Sequence, residues 1–315
     1  MQYTDKYFTY IRPGCDLLTK ESVCQAAARR GITSIVTCGD SFLRHLFQAV
    51  YMTVSDNYHN GSMTASTHNW DQNCTGRNQF ENKHCSKSFE WKKPISETVF
   101  CDGHLNISYH REDNPYGGLC HVRAHAPAGL PPGQVLFVSG GNHPIRKQNR
   151  YGVNNATING NLLRKSFCSL PHNTEGANKL STDAGAGAEA GAGADSTVTV
   201  ESSTDADTKP ARGPSRGRVA WISTHYPATY FFSDAKPSLV LQFNEGMRSV
   251  VDHQCPDMRY VDVFNMTYHF MQQYPYAMTR KSTGDGVHWG YDLNMIKTQL
   301  LLAEMLKWFD VLSDM

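Results

Sequence analysis

Short apolar runs rich in β-branched residues recur along the chain at 33–38 ("TSIVTC"), 134–139 ("QVLFVS"), 218–224 ("RVAWIST") and 259–265 ("RYVDVFN"). Runs of this length predict strands buried on both faces, as in a parallel sheet. Between and after them the pattern takes on a helical period, over residues 42–54, around 244–251, and in a long stretch from Tyr291 to about Leu312. Strand and helix alternate, which predicts an α/β fold in which helices cover a mostly parallel sheet.

The pattern breaks in two places. Over 56–132, Cys74, Cys85, Cys101 and Cys120 stand among turn residues, with "ETVFC" and "LNISYH" as candidate hairpin strands. This stretch reads as a disulfide-pinned, Cys-rich elaboration. Over 176–218 the composition shifts to Gly, Ala, Ser, Thr and Asp. So few large apolar side chains cannot offset an ordering cost of about 1–2 kcal/mol per residue, so a disordered insertion loop is predicted. Its Gly-Ala alternation carries no periodic hydrophobic unit and is not a solenoid repeat. Residues 1–315 are expected to form one domain that contains both stretches.

Composition narrows the function classes. The formal net charge is +1 and no dense Lys/Arg block occurs, so no nucleic-acid partner is expected. No apolar run reaches the roughly 18 residues that span a bilayer, and "MQYTDKYFTY" has neither the basic nor the apolar region of a signal peptide. The 9 cysteines lack C-x-x-C spacing and read as disulfide formers. Asn-x-Ser/Thr sequons at Asn60, Asn73, Asn106, Asn155 and Asn265 point the same way. Both features place the protein in the secretory lumen or outside the cell, with any targeting or anchor segment outside this sequence. Cys38, inside a buried strand, is the candidate for the unpaired ninth cysteine.

Candidate chemistry gathers at predicted strand ends. The run at 33–38 stops at Gly39-Asp40-Ser41 and passes directly into a helix. A serine there lies at the carboxyl edge of the sheet and at a helix N-terminus, where free N–H groups and the dipole favour negative charge. Its hydroxyl could attack a carbonyl, and its own N–H could hold the resulting oxyanion. A nucleophilic serine needs a base and the base an orienting group. "TGDGVHWGYDL" supplies Asp285 and His288 before the last helix. After the strand at 134–139, Gly140 and Gly141 permit close backbone approach, and Asn142 offers a second oxyanion donor. Taken singly, each site has a plainer reading: a helix cap, a capped loop, an Asn turn. Their joint occurrence at three strand ends favours acyl transfer. Arg44, one turn after Ser41, is placed to pair with Asp40 or to steady the nucleophile loop. His121 and His125 have i, i+4 spacing but lack the glutamate of a zinc helix and run into Pro127, so no metal site is predicted.

Gly39-Asp40-Ser41, Gly140-Gly141-Asn142 and Asp285-Gly286-Val287-His288 resemble blocks I, III and V of the SGNH (GDSL-type) hydrolases. G-D-S-x-x-R through Arg44, D-G-V-H-W and the Cys-rich setting resemble the PC-esterase branch, which includes plant cell-wall polysaccharide, fungal-capsule and sialic-acid O-acetyltransferases. The resemblance implies a three-layer α/β/α sandwich with Ser41 as nucleophile, His288 as base and Asp285 as its orienter. It further implies an oxyanion hole of Ser41, Asn142 and a block II glycine, which is Gly103, Gly117 or Gly118. The sequence departs from the pattern at His143, where many members carry Asp. What the resemblance implies is an acetyl ester hydrolase or O-acetyltransferase on a carbohydrate or glycan; a monomer without a cofactor is expected, and the alternative is a non-catalytic carbohydrate-binding module on the same fold.

Overall fold

A computed structural model describes residues 17–59, 61, 74–76, 78–81, 85, 98–112, 130–140, 145, 161–164, 168, 218–227, 236–255, 257–273 and 288–310. All of them belong to a unit formed by Met1–Leu170 and Pro214–Met315. The predicted insertion loop lies outside the described residues, except for Arg218, which opens a strand.

The helices are α1 (Lys20–Arg30), α2 (Ser41–Ser55), α3 (Asn78–Glu81), α4 (Pro237–Gln254), α5 (Val263–Gln273) and α6 (Tyr291–Asp310). The strands are β1 (Ser34–Gly39), β2 (Thr98–Phe100), β3 (Leu105–Arg111), β4 (Gln134–Ser139), β5 (Arg218–Ile222) and β6 (Met258–Val261), joined in one sheet in the order β2-β3-β1-β4-β5-β6. Among these strands every pairing is parallel except that of β2 with β3. The expected hairpin of "ETVFC" and "LNISYH" therefore forms, but its second strand is part of the central sheet. The reason is burial: Ile107 and Tyr109 pack in the main core, whereas an elaboration would leave one face wet.

Strand alternation divides the core into two layers. Ile35, Ile107, Val135, Phe137, Ala220 and Ile222 face α1, α2 and α6 on one side of the sheet. Val36, Cys38, Leu136, Val138, Val219 and Trp221 face Val240, Phe243, Met247 and Val251 of α4 on the other. The result is the three-layer α/β/α arrangement. Local signals set the element ends. Thr19 and Ser22 form a capping box at the start of α1, and Gly31, at φ 66°, ends it in the left-handed conformation that glycine adopts without strain. No helix among the described residues is long and apolar enough to cross a membrane.

The order also locates the site. From β1 the chain moves outward to β3, then returns to the other side of β1 as β4. Strand order reverses there, and in such sheets the crevice beyond the carboxyl ends of the two diverging strands binds ligands. Ser41 follows β1, and Gly140 follows β4.

Disulfides join Cys24 to Cys101, Cys74 to Cys85 and Cys168 to Cys255. Cys38 is also disulfide-bonded, to a partner outside the described residues, which corrects its assignment as the unpaired cysteine. Its burial in β1 is compatible with packing or with bonding, and only the approach of a second strand or loop decides between them.

Candidate active site

Asp40 and Ser41 divide two tasks between them. Asp40 is the N-cap of α2, its Oδ1 accepting from the Phe42 N–H at 2.8 Å. Because Asp40 caps the helix, Ser41 is free to point its hydroxyl elsewhere. Its Oγ lies 2.6 Å from Nε2 of His288, across 247 residues of sequence. Both residues are only partly buried. The Ser41 N–H is one of the first-turn donors that a helix leaves unpaired, and it has no acceptor among the described residues.

The junction between β1 and α2 is fixed from several sides. The Tyr109 hydroxyl donates to the carbonyls of Gly39 and Asp40, each at 3.1 Å. Glu112 N–H donates to the Gly39 carbonyl at 2.9 Å. Gly39 lies against β4, where a Cβ would come 2.6 Å from the Ser139 carbonyl oxygen. Only glycine lets the two strands meet this closely.

Asp285, Gly141 and Asn142 lie outside the described residues, as do Gly117, Gly118, His121 and His125. Gly140, which follows β4, is buried at the carboxyl edge of the sheet. Gly103 is placed elsewhere. It sits in the β2–β3 turn, at the edge where β3 begins, whereas Ser41 lies beyond the edge where the parallel β1 ends. The length of β3 separates the two edges, about 20 Å for 7 residues. Gly103 therefore lies at the opposite edge of the sheet from Ser41, away from any oxyanion hole there.

No protein-family model matches the chain, and no curated protein matches it. Among solved structures it is similar to two variants of Axe2, an acetyl-xylooligosaccharide esterase from Geobacillus Stearmophilus. Identity is 10% in both cases, over 87% of this chain and 94% of the other, with TM-scores of 0.42 and 0.39. Likeness of that degree assigns no activity to this chain.

Behind Ser41 lies a group of buried nitrogen-bearing side chains, of which the sequence pattern singles out only Arg44. Arg44 is buried and donates through Nη2 to Nε2 of His45 at 2.9 Å. The His45 ring stands 5.1 Å from that of His288 and 5.6 Å, edge on, from Phe80. On the other side of Phe42, Lys297 Nζ lies 3.2 Å from His225 Nδ1 and 4.9 Å from the Phe42 ring centroid. Burial holds the Lys297 amine well below its usual basicity. It also holds His45 well below, with help from the charge of Arg44. The signal for this group was present: the sequence of α2 offers so little polar surface that it must be buried all round, and its few polar residues must then find partners inside.

Among the described residues no cluster of His, Cys, Asp and Glu could hold a metal ion. Chemically, the site offers a hydroxyl, a base in contact with it and a free N–H at a helix start.

Proposed function

We propose that the protein is a serine-dependent acyl ester enzyme, acetyl groups being the favoured cargo, that acts on a carbohydrate or glycan through an acyl-Ser41 intermediate. The observation that carries this reading is the 2.6 Å contact between Ser41 Oγ and His288 Nε2 at the switch-point edge of the sheet. A cap or a surface loop has no need to bring these two groups together.

In the proposed reaction His288 Nε2 takes the Ser41 proton as Oγ attacks the ester carbonyl. The negative charge on the carbonyl oxygen develops at the N-terminus of α2, where the Ser41 N–H and the helix dipole meet it. Asn142 is proposed as a second donor and Asp285 as the group that orients His288. Collapse breaks the bond to the sugar oxygen, which leaves with the proton from His288. Water or a second sugar hydroxyl then gives up a proton to His288 and takes the acyl group from Ser41, whose Oγ leaves with that proton from His288. Water makes the protein an esterase, a sugar hydroxyl an O-acyltransferase. The disulfides support an oxidising compartment for this chemistry.

The test is release of acetate from 4-nitrophenyl acetate and from an O-acetylated oligosaccharide, with mass spectrometry of the protein for a trapped acyl adduct. Ser41→Ala should remove the adduct and lower kcat by about 10⁶ while leaving the fold intact. Wild-type turnover in folded Ser41→Ala ends the reading. Binding of the oligosaccharide without acetate release, in wild type, would favour the binding-module alternative.

A further inference from the structure

Two imidazoles stand side by side at Ser41, and the acyl-transfer reading uses one. His45 is four residues after Ser41 on the same face of α2, 3% exposed, with its ring 5.1 Å from that of His288. Arg44 fixes its chemical state. A guanidinium can only donate, so the 2.9 Å contact makes His45 Nε2 an acceptor and places the ring's one proton on Nδ1. A cationic imidazole has no lone pair to accept with, so the same contact keeps His45 uncharged. The groups around it hold it there. Among the described residues, Arg44 on its own helix, His288 before α6, Lys297 on α6 and His225 after β5 face it as bases or cations, and Phe80 meets it edge on.

We propose that His45 is a positioning residue for His288: Arg44 holds it as a neutral imidazole, and its flat ring is the surface that seats the His288 ring with Nε2 toward Ser41. The inference rests on the reading of His288 as the base. Its consequence is a division of labour between neighbours. When His288 takes the serine proton it becomes a cation beside a second imidazole, and a charged neighbour would oppose that step. Arg44 removes the competition by occupying the only lone pair that could accept a proton on His45. With the acceptor nitrogen of one imidazole occupied, the other is left to take the serine proton. The helix supplies the rest of the geometry. Ser41 and His45 are one turn apart on a rigid element, so His288 is held between its hydrogen-bond partner and its seat by a single helix face.

Three measurements test this. First, imidazole ¹⁵N spectra of the whole protein should show His45 neutral with the proton on Nδ1 across the pH range of the folded state. An imidazolium, or a proton on Nε2, overturns the proposal. Because this readout needs no turnover, it stands even if Ser41→Ala proves as active as wild type and the acyl-ester reading falls. Second, His45→Ala, with active molecules counted by a fluorophosphonate, should lower kcat about 10²-fold with KM changed little, as expected for a misplacement near 1 Å. Third, His45→Phe restores a flat, permanently uncharged ring and should recover most of that loss. Unchanged kcat in His45→Ala, or His45→Phe no better than His45→Ala, overturns the seat. Should His45→Ala fail to fold, His45→Leu takes its place, filling the volume without a flat ring.

Discussion

Replacing Gly39 by alanine tests whether the position of Ser41, the proposed nucleophile, is set by contact between two strands. The new Cβ would lie 2.6 Å from the Ser139 carbonyl oxygen and 3.1 Å from Leu43 Cγ, where ordinary contact begins at 3.4 Å. Leu43 can turn aside, but Ser139 is backbone in register with Gly39, so β1 and β4 must part by about 0.8 Å at their carboxyl ends. Overpacking of that kind costs about 1–3 kcal/mol. The lost backbone freedom of the unfolded chain returns about 0.4–1 kcal/mol of it. The net destabilisation should be about 1–2 kcal/mol. The kinetic effect should be larger in proportion, because Ser41 lies two residues beyond the forced opening. Displacement near 1 Å costs about 10²-fold in rate. Thermal unfolding followed by circular dichroism gives the first quantity, and kcat on 4-nitrophenyl acetate, corrected for active molecules, gives the second. A Gly39→Ala protein with wild-type Tm and wild-type kcat would refute the claim that close strand approach sets the site.

Two further predictions bear on other parts of the molecule. Gly103→Ala forces a non-glycine residue to φ 92°, which should cost about 1–3 kcal/mol of stability and leave kcat unchanged; a collapse of kcat in the folded variant would return Gly103 to the site. Lys297→Met should raise stability by about 0.5–2 kcal/mol at pH 7. Burial lowers the affinity of the Lys297 amine for its proton in the folded state, so the unfolded chain binds the extra proton and wild-type stability rises with pH until the unfolded amine itself titrates, near about 10.4. The gap between variant and wild type should therefore narrow between pH 8 and 10, and a constant gap would refute the cause.

The junction at Ser41 was legible because a change in period marks it: an unbroken apolar run gives way at Gly39-Asp40 to helical spacing. The four parallel strands announced by apolar runs are present as β1, β4, β5 and β6. The last was read too long, since Val263 and Phe264 continue the apolar run although they open α5. α1 was not legible, because "KESVCQAAARR" buries only Val23, Ala26 and Ala27, and alanines give little contrast against a polar background. Gly103 could not be placed because motif order says nothing about which edge of a sheet a turn occupies; that follows from the hairpin reversing direction between β2 and β3. Cys38 shows a similar limit. Burial depends on a residue's own strand, whereas a disulfide depends on a second segment arriving beside it.

The burial of every residue from Phe42 to Val54 of α2 has a consequence for how activity is lost on heating. A surface helix can fray while the rest of a protein stays intact. This one is enclosed by the sheet and by α1 and α6, so its interior amides should exchange with deuterium only when the whole molecule opens. Ser41 is mounted on its first turn. Heat should therefore leave turnover intact up to the cooperative transition and abolish it there, with no range of temperature in which the protein is folded but the proposed nucleophile has come loose.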